Sequence, residues 1–285
     1  MAFMQMDIYS KALARTTEAG VCIPERYIGD RRDNHNEADW DKDWGKWPVL
    51  WVLHGASSNY SDWWRFSALE RYCEEYGFSA VTVSGDLSFY SNINTGRYFD
   101  WITEELPAKL AAMLPISADP KDNFLAGFSM GGHGTAKIGL TVPDRYAAIC
   151  IMSAGNLLLT GWEHADERMT KDHRLYLGST VPEDLFGGEH DVYWLAGQAA
   201  KAGKPLPKIL FTCGIRDIAY KGSVEFYKVL KSLGYDVEFD ESEGIHNFDY
   251  WDPKIEYFMR WIKKNGLYTD RHPADGDRRS RLSDL

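Results

Sequence analysis

Three side chains far apart in this sequence have the types and order needed for acyl transfer: Ser129, Asp217 and His246. Ser129 lies in GFSMG, residues 127–131, a match to G-x-S-x-G. The apolar run NFLAGFS precedes it and a small-residue stretch follows, which is the strand–turn–helix setting the motif requires. Glycines at 127 and 131 remove side chains where strand and helix backbones converge. The turn can then be sharp and lift the hydroxyl above a sheet edge. The helix N-terminus beneath it favours developing negative charge. Taken alone the pentapeptide is a weak signal, and an ordinary Gly-rich turn is the competing reading. A phosphate loop would need Gly-Lys and then Ser or Thr, which are absent.

A serine hydroxyl needs a base, and the base needs an orienting acid. In hydrolases built on such a turn the chain order is Ser, then Asp or Glu, then His. His246, in EGIHNF after the last expected strand, is the candidate base; His272 falls in a polar tail. Asp217, in CGIRD after the run KILFT, is the candidate acid, with Gly214 permitting the turn. Asp240 and Glu241, at the end of the last strand, compete with it. Acyl transfer also needs two donors aimed at an oxyanion. The N–H of Met130 is one, and the loop HGASSN (54–59) offers Ala56, or alternatively Ser57, as the other. His54 is expected to hold that loop by hydrogen bonds, and His133 to lie one helical turn beyond Ser129 under the pocket floor. Trp63, Trp64, Phe89 and Tyr90 are candidate pocket walls, with core packing the alternative for each.

These groups must be positioned by alternating strands and helices. PVLWVLHG (48–55), FSAVTVSG (78–85), residues 123–129, AAICIMSA (147–154), KILFTCG (208–214) and YDVEFDE (235–241) read as strands. Short, nearly continuous apolar runs of this kind suit strands buried on both faces. Residues 63–76, 100–113, 221–233 and 252–264 read as helices, with Pro107 early in the second or kinking it. Met4–Tyr9 and Thr17–Ile23 read as extended segments. The alternation predicts an α/β fold, a mostly parallel sheet covered on both faces. Residues 1–267 are expected to form one domain, with 157–206 a loop-and-helix insertion able to cap the site through Trp162, Leu185 and Trp194. Residues 268–285 read as a disordered tail, and the acidic, Trp-containing loop 26–47 as a solvated connection.

Charge and composition narrow the class further. The 285-residue chain carries a formal charge of -10, which disfavours nucleic acid as a partner. No apolar stretch approaches the length of a membrane span. The four cysteines, at 22, 73, 150 and 213, lack a CxxC pair and read as free, mostly buried thiols. The N-terminus lacks the pattern of a signal peptide, so a cytoplasmic location is expected. The 11 Trp and 16 Tyr exceed what a core alone needs, and some could line a pocket.

HGASSN, SFYSNI, the helix containing ITEELP, GFSMGG, GIRD and GIHNFDYW occur in order. Together with the opening MDIYSKAL…VCIPE they resemble the esterase D-like branch of the α/β-hydrolases. Bacterial tributyrin-type esterases are the nearest members; feruloyl and acetyl-xylan esterases and S-formylglutathione hydrolases are relatives. The resemblance runs to about residue 267. It implies an α/β-hydrolase fold and hydrolysis of short-chain or small-acyl carboxylic esters, acetyl or feruloyl esters of sugars among them, without cofactor or metal. It places the triad on Ser129, Asp217 and His246 and the oxyanion donors on Ala56 and Met130. Acyl-thioester hydrolysis and acyl transfer to a sugar are the alternatives, and a homo-oligomer is plausible for the family. Ser84-Gly85, the long polar loop and the Ile-Arg pair of GIRD depart from the usual pattern.

Overall fold

The computed structural model describes residues 1–24, 45–156, 178 and 182–268. Two extended segments open the chain as a hairpin, β1 (Ala2–Ser10) and β2 (Arg15–Ile23). β3 (Val49–Leu53) and β4 (Ser79–Val83) follow, separated by helices α1 (Asp62–Phe66) and α2 (Leu69–Tyr76). A small hairpin, β5 (Asn92–Ile93) and β6 (Gly96–Arg97), leads into α3 (Tyr98–Asp100), a π-helical turn at Trp101–Glu105, and α4 (Leu106–Met113). The remaining order is β7 (Asn123–Phe128), α5 (Met130–Thr141), β8 (Ala148–Met152), α6 (Val192–Ala202), β9 (Lys208–Gly214), α7 (Tyr220–Ser232), β10 (Val237–Ser242) and α8 (Phe248–Lys264).

Eight strands form one sheet in the order β1-β2-β4-β3-β7-β8-β9-β10. β2 pairs antiparallel with both β1 and β4, and all other neighbours are parallel. The sheet is therefore mixed but mostly parallel. Period-two alternation sorts its side chains into two cores. Val49, Trp51, Leu53, Leu125, Ile149 and Ile151 pack under α4, α5, α6 and α7. Leu50, Val52, Phe124, Ala126, Cys150 and Met152 pack under α2 and α8. Burial on both faces explains the unbroken apolar runs of the central strands.

The structure departs from the expected elements at three places. The expected helix 63–76 is two helices. Ser67 is extended between them, and the N–H of Ala68 is taken by Asp252 Oδ1 at 2.8 Å. The expected helix 100–113 begins at Tyr98 and passes through the π-helical turn before Pro107. Proline has no N–H to give the Thr103 carbonyl, and Arg145 Nη1 donates to that carbonyl instead. The last helix starts at Phe248, earlier than expected, and holds Pro253 inside it. Helix α6, within the expected insertion, packs into the core under Tyr235, whose hydroxyl donates to Ala196 O at 2.9 Å. Leu185 is half-buried and Trp194 exposed. Most of the acidic loop, Trp162 and residues 269–285 lie outside the described residues. Tyr268, expected to open the disordered tail, is instead buried in the core under α2 and α8, its hydroxyl donating to Gly77 O at 3.1 Å. The four cysteines are buried free thiols. Among the described residues, no helix is long and apolar enough to cross a membrane.

Candidate active site

The parallel strands end at one sheet edge, and the loops leaving β3, β7, β9 and β10 meet there. Ser129 sits between β7 and α5 with φ 56° and ψ −121°, a conformation that non-glycine residues rarely adopt. Its N–H donates to Met152 O at 3.0 Å, and its carbonyl accepts from His133 N at 3.0 Å. The flanking glycines are a steric necessity. A Cβ on Gly127 would stand 2.4 Å from Gly131 O. One on Gly131 would stand 2.6 Å from the carbonyls of Leu53 and His54.

Asp217 and His246 come from loops that are stitched together. Ile215 N donates to Ser242 O at 3.0 Å and Arg216 N to Gly244 O at 3.1 Å. Gly214 and Gly244 approach so closely that a Cβ on the former would lie 2.5 Å from the latter's carbonyl. His246 Nδ1 then lies 2.8 Å from Asp217 Oδ1, and His246 Nε2 lies 2.9 Å from Ser129 Oγ. A carboxylate only accepts, so Nδ1 carries the proton and Nε2 offers its lone pair to the serine hydroxyl. Burial alone would raise the Asp217 pKa. Hydrogen bonds from His246 and the Ala219 N–H outweigh it and hold the carboxyl below its ordinary value. The Asp217 side chain is 0% exposed and that of His246 24%, so solvent reaches the imidazole while the carboxylate stays shielded. The competing acids are engaged elsewhere: Asp240 with Lys254, and Glu241 with the Tyr220 hydroxyl at 2.5 Å.

The loop after β3 lies alongside. His54 Nδ1–H donates to Gly55 O at 2.7 Å, and His54 Nε2 accepts the Gly85 N–H at 2.9 Å. Both ring nitrogens are spoken for in the neutral form, and burial lowers the pKa further. Tyr90 OH donates to His54 O at 2.8 Å. Ala56 is exposed, and its N–H donates no loop or turn hydrogen bond among the described residues. The Met130 N–H, at the first turn of α5, has no intrahelical acceptor.

The four aromatic candidates separate. Trp63 is wholly buried, its indole N–H donating to Leu53 O at 3.1 Å and its ring edge-on to Phe128 and Phe248. Tyr90 is wholly buried beneath the β3 loop. Neither presents surface to a substrate, so their expected role as pocket walls gives way to core packing. Trp64 is half-buried over Gly20, donating to Thr82 Oγ1 at 2.6 Å. Phe89 is half-buried and edge-on to His133.

Sequence reasoning missed two features. Trp251 sits edge-on to the His246 ring at 5.0 Å, stacks on Phe128 at 4.0 Å, and donates to Ser153 Oγ at 2.9 Å. It backs the His246 ring, yet in sequence it is one aromatic among several on an amphipathic helix. The second is a buried polar cluster along α5. Lys137, two turns beyond Ser129, is 1% exposed and pairs with Glu189 at 2.6 Å. It also donates to Ser91, whose hydroxyl lies 3.3 Å from His190 Nδ1. Burial, then the Lys137 charge, lowers the His133 pKa to about 3 and the His190 pKa to about 4.

Strand–turn–helix serine, sheet topology and loop placement define the protein as an enzyme, a serine hydrolase of the α/β-hydrolase superfamily. The family model described as "Putative esterase" matches residues 10–261, and the chain belongs to that family. An acetyl esterase of Caldicellulosiruptor saccharolyticus is 28% identical over 274 residues, covering 93% of this chain and 99% of that one. The fluorophosphonate-binding serine hydrolase FphF of Staphylococcus aureus superimposes with a TM-score of 0.80 at 27% identity, over 94% of this chain and 99% of that one. An S-formylglutathione hydrolase (FrmB) of the same organism superimposes with a TM-score of 0.78 at 28% identity, over 92% and 98% of the two chains.

Proposed function

We propose that this enzyme is a carboxylesterase for esters of small acyl groups, with Ser129 as nucleophile. The observation that carries this reading is the unbroken hydrogen-bonded chain from Ser129 Oγ through His246 to Asp217. His246 Nε2 takes the hydroxyl proton as Ser129 attacks the ester carbonyl. The N–H groups of Ala56 and Met130 hold the oxyanion of the tetrahedral intermediate. His246 returns the proton to the leaving alcohol, and water then attacks the acyl-enzyme with the same base. Asp217, kept ionised by its hydrogen bonds, fixes the tautomer and stabilises the imidazolium formed in each half-reaction. Phe89 and Trp64, both half-buried, remain the aromatic candidates for the walls of the proposed pocket. Residues 1–267 form the hydrolase unit in this reading, and the ordered motifs favour the tributyrin-type esterase branch.

The likeness to the acetyl esterase and to FphF supports this reading. The likeness to FrmB favours a second one, hydrolysis of an acyl thioester of glutathione by the same triad. Labelling by a fluorophosphonate, abolished in Ser129→Ala, is the test of the nucleophile. An intact protein that takes no label sinks the proposal. Relative kcat/KM on short aryl esters and acyl-glutathiones separates the two readings.

A further inference from the structure

Helix α5 meets its surroundings along one buried stripe. Gly131, Gly134 and Lys137 recur at three-residue spacing and so share a helix face. Gly131 lies against the carbonyls of Leu53 and His54 at the end of β3, and a Cβ on Gly134 would collide with the Tyr90 ring. Lys137 donates to Ser91 Oγ. The stripe thus runs in three contacts from the residue after Met130 to the turn at Gly85–Ser91, and all three residues are buried.

That turn is strained, and it grips the loop after β3. Asp86, Phe89 and Tyr90 have φ of 46°, 51° and 56°, left-handed backbone that persists only when the surroundings hold it. The Gly85 N–H donates to His54 Nε2, and the Tyr90 hydroxyl to His54 O. Tyr90 N donates to Ser88 Oγ at 3.1 Å, and Ser91 N to Ser88 O at 3.0 Å. Ser91 Oγ donates to Phe89 O at 3.3 Å. Its lone pairs then accept from the Lys137 ammonium and from His190 Nδ1–H. Through Ser91, Lys137 ties both consecutive left-handed residues to α5. Lysine is rarely buried without a partner, and the Glu189 carboxylate balances its charge here. Such a pair adds little net stability over apolar side chains of the same size. What the ammonium adds is direction, because each N–H fixes where its acceptor sits.

We infer that Lys137 is a positioning residue. It sets the Gly85–Ser91 turn, and with it His54 and the Ala56 N–H, in register with the end of α5 that presents the Met130 N–H. The inference rests on the reading of Ser129 as nucleophile with those two donors.

The test uses the full chain, 4-nitrophenyl acetate as substrate and 1,1,1-trifluoroacetone as inhibitor. Ser129 Oγ bonds to the ketone carbon, the carbonyl π electrons move to oxygen, and His246 keeps the displaced proton. The resulting alkoxide stands where the oxyanion would. Fluorophosphonate labelling carried to completion counts the sites, so kcat is taken per labelled site. In Lys137→Met, kcat should fall by about thirtyfold with KM within about twofold, since a small misplacement far from the chemistry can cost about a hundredfold. The ketone Ki should rise by about the same factor. A merely structural role lowers the number of labelled sites and leaves Ki unmoved. Ser91→Ala removes the acceptor and keeps the Lys137–Glu189 pair; kcat should fall and Ki rise by about fivefold. It carries the test where Lys137→Met does not fold. A Ki within about twofold of wild type in the folded variants overturns the inference. Wild type that takes no label overturns the reading of Ser129 instead, before any variant is compared.

Discussion

Lowering the pH from 8 to 5 tests the buried cluster behind the candidate nucleophile. His133 and His190 are held neutral by burial and by the Lys137 ammonium, with pKa values of about 3 and about 4. In the unfolded chain both titrate near the ordinary value of about 6.5. The folded values are depressed, so the unfolded state binds more protons between the two limits, and stability falls as pH falls below 6.5. Each ring then weakens folding by about 1.4 kcal/mol per pH unit. At pH 5 that is about 2 kcal/mol for each and about 4 kcal/mol for the pair. The depressed carboxyls of Asp86, Glu105 and Asp217 lose their contribution only below about pH 4.5, where carboxyls in the unfolded chain titrate. They therefore stay out of this window. His54, buried with a lowered pKa, leaves a residual slope of the same sign. The assay is urea unfolding at a series of pH values. His133→Gln should cut the loss between pH 8 and pH 5 by about 2 kcal/mol, and His190→Gln by a similar amount. Losses in both variants equal to that of wild type would show that these rings protonate freely in the folded enzyme and refute the reasoning.

The remaining predictions concern the candidate active site. Asp217→Asn keeps the shape but loses the charge facing His246, and kcat on a short aryl ester should fall by about 10³–10⁴ with little change in KM. Gly131→Ala puts a Cβ 2.6 Å from two backbone carbonyls; a loss of about 1–3 kcal/mol in urea unfolding is expected, together with reduced kcat. Tyr90→Phe strips the hydrogen bond from the buried His54 carbonyl, costing about 1–2 kcal/mol. Because that carbonyl belongs to the proposed oxyanion loop, kcat on a short aryl ester should fall with it. An unchanged kcat would argue against a link from Tyr90 to the loop.

The sheet was legible because strands buried on both faces leave unbroken apolar runs, and Val49–Leu53 and Ala148–Met152 are such runs. The order Ser129, Asp217, His246 was legible because each residue follows a recognisable strand. Proximity in sequence, by contrast, made Asp240 and Glu241 rivals of Asp217. Parallel pairing of β9 and β10 sets Asp240 beside Thr212 and Glu241 beside Cys213, within the sheet, whereas Asp217 lies beyond the end of β9 and can turn back to the histidine. Trp63 and Tyr90 misled for a different reason. Aromatic residues near a catalytic loop read as pocket walls, but here the loop rests on them, and only tertiary packing tells support from lining. The meeting of Gly214 with Gly244 was invisible for the same reason, being a contact between loops 30 residues apart in numbering.

The glycines around Ser129 also explain how a strained residue is held without a side-chain brace. Backbone in such a region costs about 1–3 kcal/mol, and the turn at Ser129 is fixed by a bond at each end, to Met152 O and from His133 N. Beyond those bonds the start of α5 is wedged against backbone. Gly131 lies against the carbonyls of Leu53 and His54 at the end of β3. Gly132 would place a Cβ 2.6 Å from Met152 O at the end of β8. The helix N-terminus is therefore seated between strands on either side of β7, with no flexible side chain in the contact. His54 joins the two proposed oxyanion donors: its carbonyl meets Gly131, one residue after Met130, and its ring anchors the loop that carries Ala56. Donors set by backbone contact cannot rotate away as a side chain can. This is the fixed, preoriented arrangement that electrostatic stabilisation of an oxyanion requires.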